Sequence, residues 1–260
     1  MALGAVLSTG GLSVGWAQPQ ITPDELLSGK ILGAADDHST SIESGAVLAI
    51  SDEMREFLKE NVNPGGTDIF KLQQLVDAIM GTKNFRLEYD ENTRTAAETF
   101  RLRKGNCLSF TTLFVSLARG AGLKADFQEV DIPPDWSTRK DVFVLNRHVN
   151  VNVYLGASGT RAVDFDVGDF KSTYEVDTIS DNRAIAHFFN NVGVERMQAG
   201  DIVDAFAFFR RAILETNGDF SPAWTNLGLL YRKGGHDDYA EAAYLQALKA
   251  DRVDVVAMSN

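Results

Sequence analysis

The chain reads Lys104-Gly105-Asn106-Cys107-Leu108-Ser109-Phe110 at the start of a predicted amphipathic helix. The apolar side chains that follow recur at the spacing of one helix face, namely Phe110, Leu113, Phe114 and Leu117. Cys107 precedes this stripe, so we expect its thiol at the helix start, where unpaired N–H groups and the helix dipole favour a thiolate. A lone cysteine is more often a small buried hydrophobic residue, and this position favours a nucleophile instead.

The two-residue period of β-strands follows this helix. A short strand is predicted at 142–145, and polar and aliphatic side chains alternate over residues 148–155. After a turn at 156–159, residues 160–166 are predicted to return antiparallel. We expect the aliphatic face of residues 148–155 to face the core and the polar face to line a cleft. Helices followed by an antiparallel hairpin predict an α+β domain.

A nucleophile, a general base and an orienting carboxylate occur in chain order as Cys107, His148 and Asp164. The simpler interpretations are a buried thiol, a half-exposed strand histidine and a solvated aspartate. Asp166 competes with Asp164, because it lies two residues further on the same strand face. For Asp164 to share a face with His148, the turn needs an odd number of residues or the hairpin needs a bulge.

The oxyanion hole is predicted only in part. The backbone N–H of Cys107 is one donor, and Asn106 and Asn150 are candidates for a second donor or a substrate contact. The four histidines lack ligand spacing and the chain has one cysteine, so no metal site is predicted. No glycine-rich nucleotide motif is found, and no cofactor is expected. His187 is assigned to helix packing.

These segments resemble a known family. Gly105-Asn106-Cys107 with its apolar helix, then Arg147 to Leu155, then Ala162-Val163-Asp164 are similar to the nucleophile, histidine and aspartate segments of the bacterial transglutaminase-like superfamily. The resemblance covers roughly residues 68–175. It implies a papain-like core, with a cysteine-bearing helix packed on an antiparallel sheet, and acyl transfer through a thioester on Cys107. Members include protein cross-linkers, peptidases and amidases, some followed by tetratricopeptide repeats.

The C-terminal part shows an internal repeat. Residues 223–248 fit the 34-residue tetratricopeptide pattern, a helical hairpin. Similar small and large residues occur 35 positions earlier, and residues 257–260 match 223–226. The sequence therefore predicts an all-α array of two repeats with a third truncated. Since about three repeats are usually needed for stability, we expect the chain to be part of a longer protein or to end in an unusual stub.

Four segments are predicted. Residues 1–20 are uncharged, and Gly15-Trp16-Ala17 resembles a signal-peptidase site, so this segment is a signal-peptide remnant or a disordered tail. The others are a helical N-terminal preface at 21–66, the transglutaminase-like domain at 67–180 and the repeats at 181–260. The N-terminal run is too short and glycine-rich to span a bilayer. We expect an exported or periplasmic protein, with the cytoplasm as the alternative.

Composition narrows the class of function. A net charge of −11 without a basic face argues against a partner with a phosphate backbone, so no nucleic acid is expected. The leading hypothesis is a thiol-dependent acyl-transfer enzyme acting on peptide or protein amide bonds: a peptidase or amidase, with a transglutaminase as a further option. The repeats would bind a protein partner. The alternative is a non-catalytic scaffold that uses those repeats.

Overall fold

The computed structural model describes residues 21–35, 40–81, 85–130, 148–165 and 174–259. The signal-peptide remnant at 1–20, the strand at 142–145 and Asp166 lie outside these residues. No helix within the described ranges is long and apolar enough to cross a membrane.

Five helices form the N-terminal part, and four of them begin at a side-chain cap. They are α1 (Pro23–Ser28), α2 (Ser44–Val47), α3 (Asp52–Asn61), α4 (Asp68–Met80) and α5 (Ala96–Leu102). Thr22, Ser51 and Thr67 each accept a hydrogen bond from an amide in the first turn of α1, α3 and α4. At α5, Thr95 and Glu98 form a capping box, in which each side chain accepts the other residue's amide.

A four-stranded antiparallel sheet follows the cysteine helix. The helix is α6 (Cys107–Gly120), preceded by a two-stranded parallel pair, β1 (Glu88–Tyr89) and β2 (Lys104–Gly105). The sheet has the order β5-β4-β3-β6, with β3 (Lys124–Val130), β4 (His148–Tyr154), β5 (Thr160–Val163) and β6 (Val176–Ile179). Helix α6 packs on β3 and β4, so the cysteine-bearing helix lies on an antiparallel sheet, as the resemblance implies.

Both faces of β4 are buried. Val149, Val151 and Val153 form the expected aliphatic face. On the opposite face, Asn150 is 0% exposed and Asn152 is 8% exposed. The prediction that this polar face lines a cleft is therefore wrong, because alternation shows which side chains share a face and says nothing of what covers it.

The remaining helices pack as hairpins. They are α7 (Asp181–Ala199), α8 (Ile202–Glu215), α9 (Ser221–Lys233), α10 (Asp237–Ala250) and the short α11 (Val255–Ser259). Helix α7 packs on α8 and α9 packs on α10. A Cβ atom on Gly193 would lie 2.6 Å from the Phe209 ring, and one on Gly228 would lie 2.5 Å from the Tyr244 ring. The same glycine-to-aromatic contact thus recurs in both hairpins.

The N-terminal segment packs on these C-terminal helices. The Tyr231 hydroxyl donates to the carbonyl oxygen of Leu26 at 2.5 Å, and Gly29 lies against the Phe206 ring. Helix α2 contacts α7. One hydrophobic core contains residues from 26 to 257, so it is continuous across the boundaries predicted at 66 and 180.

Candidate active site

Cys107 is the first residue of α6 and is partly exposed. Asn106 caps this helix, since its Oδ1 accepts hydrogen bonds from the amide and the hydroxyl of Ser109, both at 2.9 Å. Gly105 is needed immediately before the cap, because a Cβ atom there would lie 2.5 Å from Ser109 Cβ. The local sequence therefore holds the thiol at the positive end of the α6 dipole, where a thiolate is favoured.

His148 and Asp164 are in direct contact. His148 Nε2 lies 2.7 Å from Asp164 Oδ2, and the two side chains are 12% and 10% exposed. Asn150 Nδ2 donates to the same carboxylate oxygen at 3.2 Å. An imidazole, a carboxylate and an amide therefore form one cluster at the start of β4.

The turn between β4 and β5 explains this contact. Asn152 pairs with Ala162 and Tyr154 with Thr160. The Leu155 amide donates to the Gly159 carbonyl at 2.8 Å, which leaves the three residues Gly156–Ser158 as the turn. Three is an odd number, as the sequence argument required, so residues of the same parity share a face and Asp164 lies on the side of His148.

Thr111 joins the cysteine helix to the strand that carries His148. Its hydroxyl donates to the carbonyl oxygen of Val149 at 3.0 Å. Cys107 lies four residues before Thr111 and therefore on the same helix face, one turn closer to the N-terminus. Val149 is the neighbour of His148 in the chain. The N-terminal end of α6 is thus packed at the start of β4.

The two asparagine candidates have different surroundings. Asn150 is completely buried, and its Oδ1 has no hydrogen-bond partner within the described part of the chain. Burial excludes it as a direct substrate contact in this structure, and its amide serves Asp164 instead. Asn106 donates from Nδ2 to Thr93 Oγ1 at 2.8 Å. Asn106 therefore acts as a tethered helix cap, and its second amide hydrogen keeps it as a candidate donor.

Sequence reasoning missed two residues near the cap. Thr93 is 8% exposed, and its backbone N–H donates to Glu195 Oε1 of α7 at 2.8 Å. Burial raises the pKa of Glu195, because the desolvation of its carboxylate outweighs the hydrogen bonds from Thr93. No local pattern connects residues that lie 102 positions apart, so the sequence held no signal for this contact.

A second histidine–carboxylate pair lies between β3 and α7. His187 Nε2 is 2.7 Å from Glu129 Oε1, and Arg183 Nε is 2.5 Å from the same oxygen. Burial alone would raise the pKa of Glu129, but the hydrogen bonds and charges of His187 and Arg183 outweigh it and lower the pKa to about 2. The assignment of His187 to helix packing is incomplete, because this buried residue also bonds to the sheet.

Among the described residues, no group of three or more His, Cys, Asp and Glu side chains is arranged to hold a metal ion.

Comparison with known proteins relates this geometry to one family. Residues 55–166 match the family model of the transglutaminase-like superfamily. The matched region begins in α3, earlier than the predicted boundary at residue 67, and contains Cys107, His148 and Asp164. No curated protein and no solved structure matches the chain significantly. The similarity to the superfamily indicates a cysteine-dependent enzyme of the peptidase or acyltransferase type. The matched region ends before α7, so the tetratricopeptide assignment stays a prediction.

Proposed function

We propose that the protein transfers acyl groups from peptide or protein amides through Cys107, with His148 as the general base and Asp164 as the residue that orients it. The observation that carries this proposal is the 2.7 Å contact between His148 Nε2 and Asp164 Oδ2. It occurs at the strand start against which the N-terminal end of the cysteine helix is packed. This arrangement supports a nucleophile, a base and an orienting group acting together.

The contact assigns different roles to the two ring nitrogens of His148. The Asp164 carboxylate accepts a hydrogen bond from Nε2, which leaves Nδ1 as the atom that exchanges a proton with the thiol. Asn150 donates to the same carboxylate oxygen. Since donors to a carboxylate favour its charged form, both contacts suit Asp164 to the stabilisation of an imidazolium.

Acyl transfer then proceeds in two balanced steps. The Cys107 thiolate attacks the amide carbonyl carbon and forms a C–S bond, while the backbone N–H of Cys107 stabilises the oxyanion. The C–N bond breaks as the imidazolium gives its Nδ1 proton to the leaving amine, which leaves a thioester. His148 next takes a proton from water or from an acceptor amine, whose attack on the thioester breaks the C–S bond and restores the thiolate and the imidazolium.

Hydrolysis is the proposed outcome in preference to cross-linking, because water needs no binding site of its own. The enzyme would then be a peptidase or amidase. We also propose that helices α7 to α10 form tetratricopeptide repeats that bind a protein partner or a substrate segment. This is supported by the equivalent contacts of Gly193 with Phe209 and of Gly228 with Tyr244.

Trapping the thioester tests this proposal. The protein is incubated with a peptide mixture and a small labelled amine, and labelled peptides are identified by mass spectrometry. We expect label on peptide carbonyl groups with the wild-type protein and none with Cys107→Ala. In parallel, Cys107 should alkylate with iodoacetamide at mildly acidic pH. A thiol that alkylates only above about pH 8, with no trapped peptide, would instead indicate a non-catalytic scaffold.

A further inference from the structure

Helix α7 lies outside the region that matches the family model, yet it contacts the proposed catalytic domain along its whole length. Near its C-terminal end, Glu195 Oε1 accepts the backbone N–H of Thr93 at 2.8 Å. Its middle holds the cluster around Glu129 described above. At its first residue, Asp181 accepts two hydrogen bonds from Arg119, at 2.7 and 2.9 Å. Helix α7 is therefore joined to the end of α6, to β3 and to the segment before α5.

The Glu195 contact leads to the nucleophile in two further steps. Thr93 Oγ1 accepts a hydrogen bond from Asn106 Nδ2 at 2.8 Å. Asn106 Oδ1 in turn accepts the Ser109 amide at 2.9 Å and so caps α6. Asn106 immediately precedes Cys107 in the chain. A carboxylate on α7 is therefore connected by consecutive hydrogen bonds to the residue that orients the first turn of the cysteine helix.

The spans of the two helices agree with this arrangement. The contacts on α6 lie at Asn106 and Arg119, and those on α7 lie at Asp181 and Glu195. At about 1.5 Å per residue, these pairs are separated by about 20 Å and about 21 Å. Because the start of α7 lies at the end of α6, the two helices run antiparallel. Asp181 of α7 binds the end of α6 directly, and Glu195 of α7 binds Thr93, which in turn accepts a hydrogen bond from the Asn106 cap.

We infer that Glu195 and Thr93 are positioning residues for Cys107, which act through the Asn106 cap, so that α7 completes the catalytic unit. The inference rests on the proposed function and adds residues that no local motif around Cys107 contains. Glu195 holds the backbone of Thr93, and the Thr93 hydroxyl then fixes the Asn106 amide. Neither residue is required to touch the substrate.

The expected effect follows from the role of a helix cap. A side chain that accepts the amide at the third helical position stabilises the first turn. A fixed first turn keeps the amide dipoles aligned on the Cys107 sulfur, and a frayed one weakens the stabilisation of a thiolate. Loosening Asn106 should therefore raise the thiol pKa without removing any residue of the proposed Cys107, His148 and Asp164 set.

Two matched pairs of variants test the inference in the full chain. Glu195→Ala removes the acceptor for the Thr93 amide, whereas Glu195→Gln keeps an acceptor oxygen, and both remove the charge. Thr93→Val removes the hydroxyl that holds Asn106, whereas Thr93→Ser keeps it. Glu215→Ala is the control, because Glu215 also accepts a hydrogen bond from a distant segment, at Ser44, away from the cap. The readout is the pH dependence of Cys107 alkylation by iodoacetamide.

We expect Glu195→Ala and Thr93→Val to alkylate about fivefold more slowly than wild type at pH 6, with the profile moved to higher pH. Glu195→Gln, Thr93→Ser and Glu215→Ala should stay within about twofold of wild type. If wild-type Cys107 alkylates at mildly acidic pH, profiles of Glu195→Ala and Thr93→Val that superimpose on that of wild type overturn the inference, whatever their melting temperatures; if it does not, hydrogen exchange decides.

Hydrogen exchange separates this inference from the proposed function. The Ser109 amide reports the cap directly and needs no reactive thiol. Faster exchange of this amide in Glu195→Ala than in Glu195→Gln supports the positioning role, even if wild-type Cys107 behaves as an ordinary thiol and the proposed function fails. Equal exchange in the two variants refutes the positioning role, even if the wild-type protein proves to be an active enzyme.

Discussion

Two histidine–carboxylate pairs lie on opposite faces of neighbouring strands, and the distance from the ring nitrogen to the carboxylate oxygen is the same in both. His148 Nε2 and His187 Nε2 each lie 2.7 Å from a carboxylate oxygen, of Asp164 and Glu129 respectively. Glu129 is paired in register with Val149, the neighbour of His148, so the pairs are close in the sheet. Contact distance alone does not distinguish a proposed catalytic pair from a structural one.

Their surroundings distinguish them. Glu129 also binds the Arg183 guanidinium, and the Phe220 ring lies edge-on to His187 with its centroid 4.8 Å away. The Glu129–His187 pair is thus flanked by the Arg183 guanidinium and the Phe220 ring, and it joins α7 to the sheet. The His148 pair lies at the start of β4, where Thr111 of α6 donates to the Val149 carbonyl one helical turn after the partly exposed Cys107. The position of a nucleophile, and not the pair itself, indicates chemistry.

The largest expected effect is on the acylation rate, when each histidine in turn is replaced by alanine. We expect His148→Ala to lower the rate of Cys107 acylation on the order of 10³-fold, because the general base is lost. His187→Ala should leave that rate within about threefold, since His187 faces away from the proposed site, and should instead lower stability. Single-turnover acylation and urea unfolding of both variants measure the two effects. Equal losses of rate would contradict the comparison.

For the two carboxylates, we expect the Glu129 substitution to have the larger effect on stability and the Asp164 substitution to have the larger effect on the acylation rate. Glu129→Gln leaves Arg183 and His187 with a neutral partner in a buried site, so we expect the free energy of unfolding to fall by about 3 kcal/mol. Asp164→Asn should cost about 1 kcal/mol or less and act mainly on the acylation rate, since the amide no longer stabilises an imidazolium. Urea unfolding at pH 7 measures both. Greater destabilisation by Asp164→Asn would contradict this assignment.

The pH dependence of stability gives the smallest effect. Glu129 has a folded-state pKa of about 2, lowered from 4.5. Its contribution is therefore complete above about pH 4.5 and is lost as the pH falls toward 2. Between pH 4.5 and pH 3 we expect wild type to lose about 1.5 kcal/mol more stability than Glu129→Gln. Parallel pH profiles of the two proteins would show that Glu129 has an ordinary pKa in the folded state.

The sequence pattern predicted many of the helices and strands, because their formation depends on residues that are close together in the chain. The start of α6 at Cys107, for example, depends on residues within one turn. The strand period required an odd turn or a bulge for His148 and Asp164 to share a face, and the structure has a turn of three residues in place of the four predicted at 156–159. The assignment of these residues to catalysis remains a prediction.

The features that escaped prediction depend on distant segments. What covers Asn150 and Asn152 is decided by packing above the sheet, so the expected cleft was wrong. The partner of His187 is 58 residues away, and that of Thr93 is 102 residues away. A single sequence carries no periodic signal for such contacts, which depend on how the helices of the C-terminal part pack on the sheet.

The exposed turn at Gly156–Ser158 places an unusual restriction on change. Surface loops ordinarily accept insertions and deletions freely. Here a single added or deleted residue would leave the hairpin able to form and yet rotate Asp164 to the apolar side of the sheet. We therefore expect an insertion of two residues in this turn to keep Asp164 beside His148. An insertion of one residue should separate them. This turn is exposed, and yet its length is restricted because it decides where Asp164 lies.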